Sequence, residues 1–114
     1  MKKCVCMVFC YLIVMVNIFS FSANAAVAIP SNVQVKWICD DGVWRVYDNN
    51  GNGYYGTWVL SDGNWYYINY KGAMMHDCWY KVQNSWYYFY ADGRMAHDCY
   101  IGNYYVDSSG EWIR

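Results

Sequence analysis

At 114 residues the chain has room for one small domain, and 22% of it is Phe, Trp or Tyr. Its formal net charge of −1 excludes the basic stripe that nucleic-acid binders carry.

The N-terminus comes first. Lys2 and Lys3 precede an apolar run from Val5 to Phe21, broken only by Asn17 and Ser20, and small residues follow from Ser22 to Ala28. A charged start, an apolar middle and an Ala-x-Ala site describe a secretory signal peptide. Residues 1–25 are expected to be removed, with cleavage possible as late as residue 28. The alternative is an uncleaved membrane anchor, since the run is close to the roughly 18 residues that mark a spanning helix. Cleavage after Ala25 leaves 89 residues with six basic and nine acidic side chains, a net charge of −3. Residues 26–36 read as a short leader, with Pro30-Ser31-Asn32 marking irregular structure.

From Trp37 onward the chain repeats itself. Trp58 and Trp65-Tyr66-Tyr67 recur 21 residues later as Trp79 and Trp86-Tyr87-Tyr88. The same offset relates Gly72 to Gly93, Met74 to Met95, and His76-Asp77-Cys78 to His97-Asp98-Cys99. It also reaches back to Trp37 and Trp44. Units therefore start at residues 37, 58, 79 and 100, and a fixed period of this length signals a stacked-repeat architecture. The first unit is degenerate, with Gly53 where the others have Met. The last is shortened: Asn103-Tyr104-Tyr105 matches Trp86-Tyr87-Tyr88 at an offset of 17, so four residues are expected to be missing from its first arm, and Trp112 takes the Met place. Atypical end units are what a solenoid needs to cap its stack.

Each unit reads as a β-hairpin. Aromatic and β-branched runs favour strands, and Asp41-Gly42, Asp62-Gly63 and Gln83-Asn84 sit between such runs. Asp-Gly suits a tight turn whose central residues need positive φ. An isolated hairpin is barely stable in water, so the units must stack. The expected fold is all-β: stacked hairpins forming a short β-solenoid over residues 37–114, with no helix beyond residue 36. Trp and Tyr exceed what so few short hairpins can hide, and clustered exposed apolar surface marks a binding site.

Cys39, Cys78 and Cys99 remain after signal removal, an odd number that leaves at least one thiol free or intermolecular. Cys78 and Cys99 hold equivalent places in successive units, too far apart for a disulfide's Cα separation of roughly 4.4–6.8 Å. The His-Asp-Cys triplets recur because the unit recurs, and they fall in the link between hairpins. A linker or packing role fits them better than a metal site or a Cys/His nucleophile, which needs a base and an orienting group in reach. Almost every polar residue is a repeat position, so no catalytic residue, metal or cofactor is expected.

The pattern Trp-x6-Trp-Tyr-Tyr-x4-Gly-x-Met, carried by Trp58 to Met74 and again by Trp79 to Met95, resembles the cell-wall-binding repeat of Gram-positive bacteria. That family includes choline-binding and glucan-binding modules. The resemblance implies a superhelical stack with ligands held in aromatic cages between successive hairpins, a Met nearby. Carried over residue by residue, one cage would use Trp58, Trp65, Tyr88 and Met95. A second would use Trp79, Trp86, Tyr105 and Trp112, and a third Trp37, Trp44, Tyr67 and Met74. Where the family commonly has Gly-Trp before a new unit, this chain has Asp77-Cys78-Trp79 and Asp98-Cys99-Tyr100.

The resemblance implies a non-catalytic secreted or cell-wall-associated module that binds a surface polymer, either choline-bearing teichoic acid or glycan. No nucleic acid is expected as a partner, and no membrane once the signal is cleaved. A targeting part or fragment of a wall hydrolase, working with a separate catalytic protein, is one alternative. A surface adhesion protein is the other.

Overall fold

The computed structural model describes residues 28–30 and 33–114 of the protein, and the expected signal peptide lies outside the described residues. Nine strands follow in order: β1 (Lys36–Asp40), β2 (Val43–Tyr47), β3 (Thr57–Ser61), β4 (Asn64–Ile68), β5 (Cys78–Val82), β6 (Ser85–Phe89), β7 (Cys99–Ile101), β8 (Tyr104–Val106) and β9 (Trp112–Ile113). They pair antiparallel as β1-β2, β3-β4, β5-β6 and β7-β8-β9, and no helix occurs among the described residues. The repeat unit is thus a hairpin, and each unit-opening Trp or Tyr is the second residue of its first strand.

The turns follow their residue types. Asp41 and Gly42 stand at φ 49° and 80°, and Asp62 and Gly63 at 48° and 77°, the mirror-image geometry that matches strand twist. In the third turn Gln83 takes φ 53°, a left-handed position that Asp fills in the first two. After each hairpin the chain makes a second turn. There the N–H of Gly51, Gly72, Gly93 and Gly110 donates to the carbonyl three residues back, at 2.9–3.2 Å. Asp48, Asn69 and Asp107 brace this turn with a side-chain oxygen that accepts two backbone N–H bonds. Those bonds, the one from Asn52 first, hold the Asp48 carboxyl below its ordinary pKa.

Strand alternation gives each hairpin two faces. In β3-β4 the ladder places Trp58 opposite Tyr67 and Leu60 opposite Trp65 on one face, with Val59 opposite Tyr66 on the other. The Trp face of one hairpin packs on the opposite face of the next. One core joins Val46, with half-buried Trp37 and Trp44, to Val59, Tyr66, Ile68 and Met74. The next joins Trp58 and Tyr67, with Trp65, to Val82, Tyr87, Phe89 and Met95. Phe89, Ile68 and Val106 have no exposed surface.

The leader is not merely irregular. Ala28 bridges Trp58 in parallel, the Ile29 N–H donates to the Trp58 carbonyl at 3.0 Å, and the Ile29 side chain is buried in the first core. The Val33 N–H donates to the Pro30 carbonyl at 2.9 Å, and the apolar residue just before Pro30 supplies packing.

The Gly-x-Met spacing has a physical cause that lies between units. Gly93 stands at φ 87°, and a Cβ there would meet Met74 Sδ at 2.5 Å. Gly110 has the same relation to Met95. Each Met therefore lies across the bare backbone of the next unit's turn. In the first unit, which lacks the Met, the Tyr55 ring takes this seat over Gly72.

Gly93→Ala should therefore destabilise the protein by about 1–3 kcal/mol, from left-handed strain and overpacking together. In denaturant unfolding the cost should shrink in a Met74→Ala background, which opens the seat. Unchanged stability of the single variant would show that Met74 and Gly93 are not locked.

Candidate functional site

Three interfaces separate the four hairpins, and each brings together two indole rings, a phenol and a Met or Trp. The phenol is not the one expected from sequence. Trp37 meets Tyr66 at 5.1 Å between ring centroids, Trp58 meets Tyr87 at 4.8 Å, and Trp79 meets Tyr104 at 5.8 Å. Tyr67, Tyr88 and Tyr105 instead contact rings within their own hairpins: Tyr67 with Trp58 at 5.1 Å, Tyr88 with Trp79 at 5.4 Å, and Tyr105 with Tyr100 at 5.0 Å. The correction is one residue in each unit, and its cause is strand alternation. Tyr88 stands opposite Trp79 in the ladder and shares its face, so it faces the hairpin after its own. The ring that reaches back to Trp58 must come from the other face, and that is Tyr87.

The other residues that the resemblance implied do lie together at each interface. Met74 lies with Trp37, Trp44 and Tyr66, and its N–H donates to the Trp44 carbonyl at 2.9 Å. Met95 lies with Trp58, Trp65 and Tyr87, and donates to the Trp65 carbonyl at 2.7 Å. Trp112 meets Tyr104 at 5.5 Å beside Trp79 and Trp86.

The interfaces differ in how full they are. At the middle one Trp58 is 1% exposed and packs edge-on against Trp65, Tyr67 and Tyr87 at 4.8–6.4 Å. The cage is filled by its own walls. At the first, Ile29 and Val46 join the rings. The last encloses an open cavity of about 280 Å³ lined by Trp79, Trp86, Tyr104 and Trp112. Trp86 is 39% and Tyr104 52% exposed.

The four missing residues explain the opening, and they are lost two from each arm rather than all from the first, because the turn falls at residues 102–103. β7 and β8 have three residues each where β5 and β6 have five. The shortened hairpin lacks counterparts of Lys81 and Val82 on one arm and of Ser85 and Trp86 on the other. Val82 is buried beside Trp65 at the middle interface, and no residue does the same for Trp86.

The four residues that line this cavity are all aromatic, with no carboxylate among them. Such a site offers π faces and little hydrogen bonding, which suits a cation with no N–H to satisfy. Trp112 already carries one cation, the Arg114 guanidinium, 5.0 Å from its ring.

The His-Asp-Cys links take a structural form. Asp77 and Asp98 stand at φ 53° and 51°, each with a carboxylate oxygen 2.8 Å from Nδ1 of the preceding His76 or His97. Both pairs are exposed. Cys78 and Cys99 are free, half-buried thiols, not bonded to each other. Burial pushes the Cys78 thiol pKa up, the opposite of what an activated nucleophile needs.

The family described as "Putative cell wall binding repeat" matches residues 56–74 and 79–95. No curated protein sequence matches the chain. Among solved structures, the choline binding domain of Spr1274 from Streptococcus pneumoniae is 37% identical with a TM-score of 0.65, over 68% of this chain and 93% of that one. The choline-binding domain of CbpL from the same organism is 32% identical with a TM-score of 0.60, over 68% of this chain and 42% of that one. The modular Cpl-1 endolysin, complexed with a peptidoglycan analogue, is 33% identical with a TM-score of 0.61 over 69% of this chain. The chain spans only 24% of the endolysin's length.

Two phenols at the middle interface set an alkaline limit on the fold. Burial, chiefly, pushes Tyr67 and Tyr87 up to about 12, with the Glu111 carboxylate adding to the effect at Tyr87. A pKa raised on folding means stability that is intact below the unfolded value of about 10 and lost as pH climbs through 10 to 12. Unfolding midpoints should therefore fall steeply across that window, with two phenols ionising late in the absorbance titration. Tyr87→Phe should lessen the fall. A flat profile to pH 12 would contradict this.

Proposed function

The chain belongs to the cell wall binding repeat family, and on that premise we propose that it is a secreted, non-catalytic module that docks on choline-bearing wall polymer through the open cavity of Trp79, Trp86, Tyr104 and Trp112. The observation that carries this is the contrast between interfaces. Equivalent indole-indole-phenol clusters are closed at Trp58, where Met95 is the fourth member, and open at Trp86, where Trp112 is. A cavity of about 280 Å³ lies just under the usual range for drug-sized ligands, which suits a compact head group. A quaternary ammonium against such rings gains on the order of 0.5–2 kcal/mol per good contact. A primary ammonium would leave its N–H groups unsatisfied there.

The similar structures support this choice of ligand, since two of them are choline-binding domains. A solved complex of the Cp-1 phage endolysin, 32% identical to this chain, holds choline. The likeness to a modular endolysin favours a second role for the same site: bringing a separate catalytic protein to the wall.

Titration of the chain with choline, followed by tryptophan fluorescence, tests the assignment. Tyr104→Leu and Trp86→Leu should each weaken binding by roughly 2- to 30-fold with the fold intact by circular dichroism. Tyr105→Leu, on the other face of the same hairpin, should bind as the parent does. Tetramethylammonium should compete where ammonium does not. A folded Tyr104→Leu variant with parental affinity would place the site elsewhere.

A further inference from the structure

The first interface is completed by a residue from outside the repeat. At the middle interface the Tyr67 and Tyr80 rings meet at 5.6 Å between centroids, one from each hairpin. Their counterparts 21 residues earlier are Val46 and Val59. Two valines cannot occupy the volume of two phenols, yet both are only 1% exposed. The missing volume comes from Ile29, which is buried with them in the first core although it precedes every unit. An unfilled space there would cost stability in proportion to its size.

The backbone of this segment is held as well. β3 pairs only with β4, and its turn places Ser61 opposite Asn64. Counted back along the ladder, Trp58 is a non-hydrogen-bonded position, so its carbonyl points to the free edge of β3. The Ile29 N–H donates to that carbonyl at 3.0 Å, and Ala28 bridges Trp58 in parallel. Pro30 has no N–H to continue the pairing. The segment thus covers part of an edge that would otherwise invite another strand. Behind it, in the same core, lie Trp37, Trp44, Tyr66 and Met74.

From the buried Ile29, its bond to the Trp58 carbonyl and the two valines it completes, we infer that residues 28–30 are a strap that seals the first ring cluster, and that processing of the leader decides whether the mature chain keeps it. The two cleavage points expected from the sequence are not equivalent. A cut after Ala25 leaves the strap whole. A cut after Ala28 removes the bridging residue and puts a charged ammonium beside a buried side chain, which costs solvation. With the strap released, the Trp37 and Trp44 rings are open to the same class of cation as the last cluster. That consequence rests on the function proposed above; the strap stands on its own geometry.

Expression of the full chain with its own leader tests the processing. By mass, the secreted protein should begin upstream of Ala28, with Ala26 expected; a start at Ile29 or later would overturn the strap. Hydrogen exchange on the same material tests the seal. The Ile29 amide should be protected, and exchange at the rate of an unstructured amide would refute the bond to β3. Ile29→Ala should speed exchange at residue 29 by roughly 30-fold or more, and Ile29→Val by roughly 2- to 10-fold, with β5-β6 amides unchanged. Parental protection in the Ile29→Val and Ile29→Ala variants alike would show that the side chain seals nothing. Choline should shift the Trp86 and Trp112 indoles in the parent, and those of Trp37 and Trp44 in addition in Ile29→Ala. Trp37 and Trp44 responding equally in parent and variant would contradict a sealed cluster. Choline moving no indole in either protein would remove the ammonium site alone, since mass and exchange still decide the strap.

Discussion

A β-hairpin has two faces and no interior. Two five-residue strands cannot exclude water from either face, and isolated hairpins are marginal for that reason. The apolar residues here are dry only where one hairpin lies on the next, as the full burial of Ile68, Phe89 and Val106 shows. Everything else serves the join. The Gly-centred turns swing the chain back, the Met lies across the neighbour's bare backbone, and its N–H crosses to the neighbour's Trp carbonyl. Stability is therefore held at interfaces rather than within units, as in other quasi-one-dimensional proteins.

The fold was legible because repetition and turn chemistry are local signals. Asp-Gly at a 21-residue offset located the first two hairpin turns, and the strands fell around them. Which rings meet between hairpins was legible to within one residue. Trp-Tyr-Tyr presents two phenols, and the resemblance pointed to the second. Period-2 alternation decides for the first, since only Tyr66, Tyr87 and Tyr104 look back to the preceding hairpin. That signal was present in the sequence. Ile29 was not legible in the same way. Its partners, the Trp58 backbone and the first core, are distant in the chain, and no pattern joins it to them. Tyr55 in the missing Met's seat is a third such case, since the substitution comes from a different position in the unit.

Repetition also separates structure from function. The open cavity exists where the repeat is cut short.

Trp58 and Trp79 make the same point by contrast. They hold equivalent positions, each with a second indole, a phenol and a Met or Trp around it. Trp58 is sealed, and its Nε1–H is buried without a hydrogen-bond partner, a cost of about 1–3 kcal/mol. Sealing an indole this way is a poor use of its donor unless the ring's dispersion contacts outweigh the loss, which four neighbouring rings allow. Trp79 keeps solvent on one side, because the last hairpin is too short to bring a Val82 counterpart over Trp86. A cluster of rings is thus open or sealed according to the residue that covers it.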